Sequence, residues 1–310
     1  MLLFVPVLDA FAPLTSLVHV DFFNNTLLIP FFMGLNENVP PILPASIRQV
    51  GLGSISLLPQ SQLPYPLLTQ GGANDSITTI NLSGNNYIQL TSTLLRASLS
   101  GIVTIVMEKC NIASIMPGAF KNLKSLVHLY LAKNAITSIA PHVFPPSLAL
   151  LSIRQNPMNV DPNQQNQQPN QQFNLQDHFL DGMPNLEWLD MNYMQLGELK
   201  EGLPFAGAEQ LVFLQMRGAG VTTIAPAAFA NLNQLLMMDL GDNRGIRTLP
   251  PRFSEGLVKL QMLFIDGSAL DQMPSSSTLM TAGSDGGESP FRDLTNLTML
   301  YMVNINFQAI

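Results

Sequence analysis

Residues 120–139 read FKNLKSLVHLYLAKNAITSI. Leu126, Leu129, Leu131 and Ile136 stand at positions 1, 4, 6 and 11 of a frame that places Asn134 at position 9. Positions 3 to 7 alternate apolar and variable residues, the period of a strand that buries one face. The same frame fits Leu148, Leu151, Ile153, Asn156 and Met158, and also Leu235, Met238, Leu240 and Asn243 with a one-residue slip to Ile246. Extended along the chain, it puts first positions at Leu17, Ile47, Ile77, Ile102, Leu126, Leu148, Leu186, Leu211, Leu235, Leu260 and Leu297, which makes eleven repeats. The underlying unit is about 24 residues long, with insertions at a few joints. A second apolar mark follows in each unit: Phe120, Phe144, Phe179, Phe205, Phe229, Phe253 and Phe291 precede the next first position by four to seven residues.

The repetition resembles the leucine-rich repeat family, specifically its "typical" extracellular-type subclass, over nearly the whole chain. That resemblance implies an α/β repeat solenoid, a horseshoe with a concave parallel β-sheet and a mostly irregular or 3-10 convex side. The physics of the pattern agrees. A single repeat cannot bury its apolar face alone, so neighbours stack into one continuous core. Pro and Gly after position 14 oppose a long helix on the return path. In the family an Asn ladder at position 9 bonds the backbone where the chain leaves the strand, and Asn25, Asn85, Asn134, Asn156 and Asn243 match it. Cys110 holds the same position and reads as a small buried residue with a weak S–H donor. Ile55, Met194, Ala219, Ser268 and Ile305 depart from the pattern, so the ladder is expected to break there or to be completed by water.

Composition fits a folded chain. Apolar residues make up 46% of the 310, charged residues 11%, and the formal charge is −7. With 14 Lys and Arg against 21 Asp and Glu, no excess of cations exists for phosphates, which argues against a nucleic-acid partner. The single cysteine permits neither an internal disulfide nor a thiolate cluster. No apolar run approaches the roughly 18 residues of a spanning helix. Phosphate loops, HExxH, G-x-S-x-G and calcium-loop patterns are absent, and His19, His128, His142 and His178 suggest no catalytic set, so neither an enzyme nor a cofactor is expected. Asp190, Asp239 and Asp266 fall on one face and read as an ordinary solvated acidic patch ahead of a cation site.

We read 1–310 as one solenoid, uncapped at both ends. Phe11 already fits the second half of a repeat and Ile310 stops one at its midpoint, which suggests a fragment of a longer array or a subunit stacked on neighbours. Residues 1–12, MLLFVPVLDAFA, read as a truncated repeat ahead of a signal peptide, because they lack a basic start. Two loops interrupt the frame without shifting its phase: a Gln/Asn-rich one over 161–174 and a Gly/Ser-rich one over 274–290. Sequons occur at Asn24, Asn74, Asn81 and Asn296, although roughly three would arise by chance. The subclass resemblance and the low charge favour the cell surface or the extracellular space over the cytoplasm.

Positions 1, 4 and 6 point into the core, so positions 3 and 5 face out. Position 3 runs His19, Gln49, Thr79, Thr104 and His128, and then Leu150, Trp188, Phe213, Met237, Met262 and Met299. Position 5 adds Tyr130, Phe264 and Tyr301, and Tyr193 at position 8 is expected close to Trp188. An unbroken apolar column of this kind is the composition of a protein interface. The expectation is therefore a non-enzymatic ligand-recognition ectodomain that binds a protein on the concave face of repeats six to eleven. The alternatives are a structural subunit of an extracellular or cell-wall assembly, or an intracellular scaffold.

Overall fold

A computed structural model describes residues 11, 13–26, 42–56, 76–95, 99–157, 179–200, 204–271 and 289–305. The Gln/Asn-rich loop, most of the Gly/Ser-rich loop, Asn74, Met158, His178 and Ile310 lie outside these residues. The chain forms two compact units, Met1–Asn134 with Val143–Leu148, and Ala135–His142 with Ala149–Ile310.

The first unit contains β1 (His19–Asp21), β2 (Gln49–Gly51), β3 (Thr79–Asn81), β4 (Gln89–Leu90), β5 (Thr104–Val106), β6 (Ser114–Ile115) and β7 (His128–Tyr130). Strands β1, β2, β3, β5 and β7 pair in parallel in that order, and position 3 always meets position 3: His19 with Gln49, Gln49 with Thr79, Thr79 with Thr104, Thr104 with His128. The second unit contains β8 (Leu150–Ser152), β9 (Trp188–Asp190), β10 (Gly197–Leu199), β11 (Phe213–Gln215), β12 (Val221–Ile224), β13 (Met237–Asp239), β14 (Met262–Phe264) and β15 (Met299–Tyr301). Its ladder runs β8, β9, β11, β13, β14, β15, again parallel and in phase. Each ladder strand is thus positions 3 to 5 of a repeat, as the alternation at Leu126–Leu131 predicts.

The register follows from burial, because a one-residue slip would turn position 4 to water. Ile80, Ile105 and Leu129 in the first unit and Leu189, Leu214, Met238 and Leu263 in the second are all buried, as are their neighbours at positions 1 and 6. Deeper in, the phenylalanines stack. Phe120 lies 5.8 Å from Phe144 in the first unit, and Phe205, Phe229, Phe253 and Phe291 form a continuous row in the second with centroids 5.7, 5.7 and 6.4 Å apart. The return paths are mainly turns, and the described residues contain no α-helix. Two short parallel pairs, β4 with β6 and β10 with β12, add regular structure around position 14 that the composition did not suggest.

After each strand the chain turns through a left-handed residue at position 8. Asn24, Ser54, Gly84, Lys109 and Lys133 in the first unit and Gln155, Tyr193, Gly218, Asp242, Gly267 and Asn304 in the second all have φ between 50° and 74°. For residues such as Lys109 and Tyr193 this conformation costs roughly 1–2 kcal/mol. Backbone bonds to the next repeat offset it, Lys109 N–H donating to Ala132 O at 3.1 Å and Tyr193 N–H to Arg217 O at 2.8 Å.

The residue that follows is the ladder position. Asn134 is buried; its Nδ2 donates to Met107 O (2.8 Å) and Leu131 O (2.9 Å), while its Oδ1 accepts Cys110 N–H (2.8 Å) and Ile112 N–H (3.2 Å). Asn243 repeats this with Met216 O, Leu240 O and Val221 N–H. Asn156 donates to Ile153 O and accepts Ile136 N–H, and Asn85 donates to Leu52 O and Leu82 O. Asn25 is exposed and, among the described residues, its side chain bonds within its own turn, to Phe22 O and Phe23 O. Where the ladder lacks Asn, apolar Ile55, Met194 and Ala219 are buried in its place, and the buried Ser268 hydroxyl has no partner among the described residues.

Cys110 stands in this ladder as a thiol, its Sγ 3.3 Å from Leu82 O and 3.4 Å from Glu108 O. Burial pushes its pKa up to about 11, so it stays protonated at neutral pH. Native protein should therefore be inert to a thiol reagent such as DTNB and release one equivalent of chromophore only in denaturant. Rapid titration of the native chain would contradict this placement.

Candidate functional site

The open strand face of the second unit carries the apolar column. Leu150, Trp188, Phe213, Met237 and Met262 follow one another at position 3 of paired strands, each half-buried because its neighbours stand one strand spacing away. Met299 ends the column and is exposed. The Trp188 and Phe213 rings lie 4.9 Å apart and tilted, and Phe264 stacks on Tyr301 at 4.9 Å and 16°. Such contacts lock the rotamers and leave a stiff aromatic surface. Tyr193, at position 8 of the repeat that carries Trp188, has its ring over Gly218, where a Cβ would come within 2.8 Å of it. Tyr193 is 52% exposed.

Beside the column lies an ion-pair cluster that the sequence reading missed. Arg217, at position 7, donates from Nε to Asp239 Oδ2 (3.0 Å), from Nη1 to Asp242 Oδ2 (2.8 Å) and Asp266 Oδ2 (2.9 Å), and from Nη2 to Asp266 Oδ1 (2.8 Å). To reach Asp266 it crosses a whole repeat. The crossing passes over Gly241, at position 7 of the intervening repeat, where a Cβ would fall 2.4–2.6 Å from the guanidinium. A side chain at 241 would push the guanidinium out of this position, so the arrangement as it stands uses Arg, Gly and Asp at successive seventh positions. That triplet was present in the sequence as the detectable signal. Hydrogen bonds from Arg217 hold the Asp266 carboxyl below the usual carboxylate range, and donating to Asp266 first, then to Asp242 and Asp239, raises Arg217 further. Because the folded pKa of Asp266 is depressed, its contribution is present above the ordinary carboxylate pKa and is lost as the pH falls through the folded value.

The expected solvated patch of Asp190, Asp239 and Asp266 is therefore corrected. Asp239 and Asp266 are paired with Arg217. Asp190 lies apart and is buried, accepting from Ser152 Oγ (2.9 Å) and Asn192 N–H (3.1 Å), with Arg154 at 3.8 Å. Among the described residues no group of three or more His, Cys, Asp and Glu is arranged to hold a metal ion. On the first unit, position 3 is polar and partly self-satisfied, His19 Nδ1 with Gln49 Oε1 and Thr104 Oγ1 with His128 Nδ1, each at 3.1 Å. Of the described sequons, Asn24 is exposed, Asn81 is half-buried and accepts Ser83 N–H, and exposed Asn296 donates to Val258 O.

Comparison with known proteins agrees with this architecture. A family model described as "Leucine rich repeat" matches residues 100–158 and 209–270. The chain is 23% identical over 263 residues to Tsukushi of Gallus gallus, which covers 78% of this chain and 68% of that protein. Among solved structures it resembles TLR13 in its complex with ssRNA13, at TM-score 0.64 and 19% identity over 94% of this chain. It also resembles an internalin of Listeria monocytogenes, at TM-score 0.55 and 19% identity over 86% of the chain. It spans 35% of the TLR13 chain and 64% of the internalin chain. No helix among the described residues is long and apolar enough to cross a membrane. The in-phase parallel ladders and the position-9 asparagines form a leucine-rich repeat solenoid, and the leucine-rich repeat model matches it over residues 100–158 and 209–270.

Proposed function

We propose that the chain is a non-enzymatic recognition module that binds a protein through the open strand face of its second unit. The observation that carries this reading is the column Leu150, Trp188, Phe213, Met237, Met262 and Met299, with Phe264, Tyr301 and Tyr193 beside it. Aromatic and Met anchors ringed by polar groups are the makeup of an interface centre. Nothing in the arrangement supplies a nucleophile with a base, so catalysis has no support in it. The RNA named with TLR13 is not carried over, since carboxylates outnumber guanidiniums on this face and repel phosphate.

Immobilised wild-type protein should retain a partner from the extracellular fraction of its source, and Trp188→Ala with Phe213→Ala should weaken that retention at least about tenfold. Both side chains are only half-buried, so the double variant should keep its far-UV spectrum. Equal retention by the two proteins would sink the reading.

The compartment we propose is the cell surface or the extracellular space, on the family resemblance and the sequons. Asn24, exposed in its turn, is the best placed acceptor. Intact mass before and after enzymatic glycan release checks this: a mass above 33.9 kDa that falls on release is expected, and a bare chain would remove the argument.

A further inference from the structure

On the reading that a protein docks on this face, we infer that the partner inserts a lysine or arginine side chain between the Arg217 cluster and the Phe264–Tyr301 stack. Three carboxylates, Asp239, Asp242 and Asp266, surround one guanidinium, which leaves two negative charges in surplus. Arg217 spends its Nε and Nη1 protons and one from Nη2 on these carboxylates, so it has little left to offer an incoming carboxylate or phosphate. Its guanidinium also fills the centre of the cluster, and a divalent metal ion would meet that positive charge. What the site lacks is a second organic cation.

The apolar surroundings fit the rest of such a side chain. Phe264 pairs directly with Asp239 across the ladder, and Met262 with Met237, so carboxylate, ring and thioether lie on two adjacent strands. A long basic side chain lays its methylenes along Met and keeps its charged head at the polar edge. The face of Phe264 or Tyr301 adds attraction for the cation. Asp242 is the most exposed of the three acids, with 47% of its side chain accessible, and faces the approach. The charge complementarity selects a basic partner and rejects an acidic one.

A random peptide library displayed on phage and panned against the full chain tests this. Enriched peptides should carry Lys or Arg next to aromatic or aliphatic residues, and their binding should weaken as NaCl is raised from about 0.05 to 0.5 M. Asp242→Asn should weaken them about threefold, a charge effect of partly exposed size. This variant keeps a residue that tolerates the left-handed turn, where φ is 57°. If enriched peptides are lost on Trp188→Ala with Phe213→Ala but lack basic residues and ignore Asp242→Asn, the cation site falls while the docking face stands. Peptides that bind the double alanine variant unchanged, or a library that enriches nothing, would overturn both.

Discussion

Asn134→Ala should destabilise the first unit by roughly 3–5 kcal/mol in urea unfolding, close to the largest effect a single polar truncation produces. The wild-type amide satisfies four backbone groups at once: Met107 O, Leu131 O, Cys110 N–H and Ile112 N–H, all at 2.8–3.2 Å. Alanine leaves them together without a partner in a site that is 8% exposed. Asn134→Asp separates the two halves of this account. It keeps the acceptor for the two N–H groups but sets a carboxylate oxygen against two carbonyls, which raises the carboxyl pKa in the folded state. The penalty is then full above that raised pKa and is relieved as the pH falls towards the unfolded value near 4. An Asp variant whose deficit relative to wild type is the same at pH 7 and pH 4.5 would refute the donor half of the ladder.

How far the sequence foretold this depends on what each feature requires. The strand frame was legible because positions 1, 4 and 6 must be apolar in every repeat, and a stacked core enforces that period directly. Asn134, Asn156 and Asn243 were legible for the same reason, since only an amide can donate to two carbonyls and accept an N–H in that space. The turn at position 8 was not. Lys109, Lys133, Gln155 and Tyr193 hold left-handed backbone as Gly84 and Asn304 do, because ladder bonds on either side determine the conformation and the residue type there is free. Tyr193 illustrates this, a bulky residue in left-handed backbone with its ring over Gly218.

The Arg217 cluster was illegible for a different reason. Charges on an open face look interchangeable in a sequence, and Asp190, Asp239 and Asp266 read as one set because their strands share that face. The discriminating residue was the small one: Gly241 opens the path from Arg217 to Asp266, while Asp190 is taken up by Ser152 and Asn192. Contacts that skip a repeat depend on what is missing from the repeat between, and periodicity alone does not record an omission.

Phe229→Ala should cost roughly 3–5 kcal/mol and should do so locally. Its ring is fully buried between Phe205 and Phe253, 5.7 Å from each, so truncation removes two aromatic contacts and leaves a cavity that stacked neighbours cannot close without shifting a backbone turn. One such obstacle is visible beside it. Gly256 packs so tightly on Ala230 that a Cβ there would lie 2.1 Å from the Ala230 carbonyl oxygen, and turns in that contact have no slack to collapse inward. In a solenoid each repeat is stabilised by its nearest neighbours, and a weakened joint therefore opens before distant ones. Amide exchange should rise first in Phe213–Gln215, Met237–Asp239 and Met262–Phe264, the strands over the damaged row. Loss of the same free energy with exchange raised evenly along the second unit would mean that the phenylalanine row acts as one cooperative block and that its repeats do not open singly. Phe229→Leu distinguishes shape from volume: it refills most of the cavity without the ring stacking, so about half the cost should return.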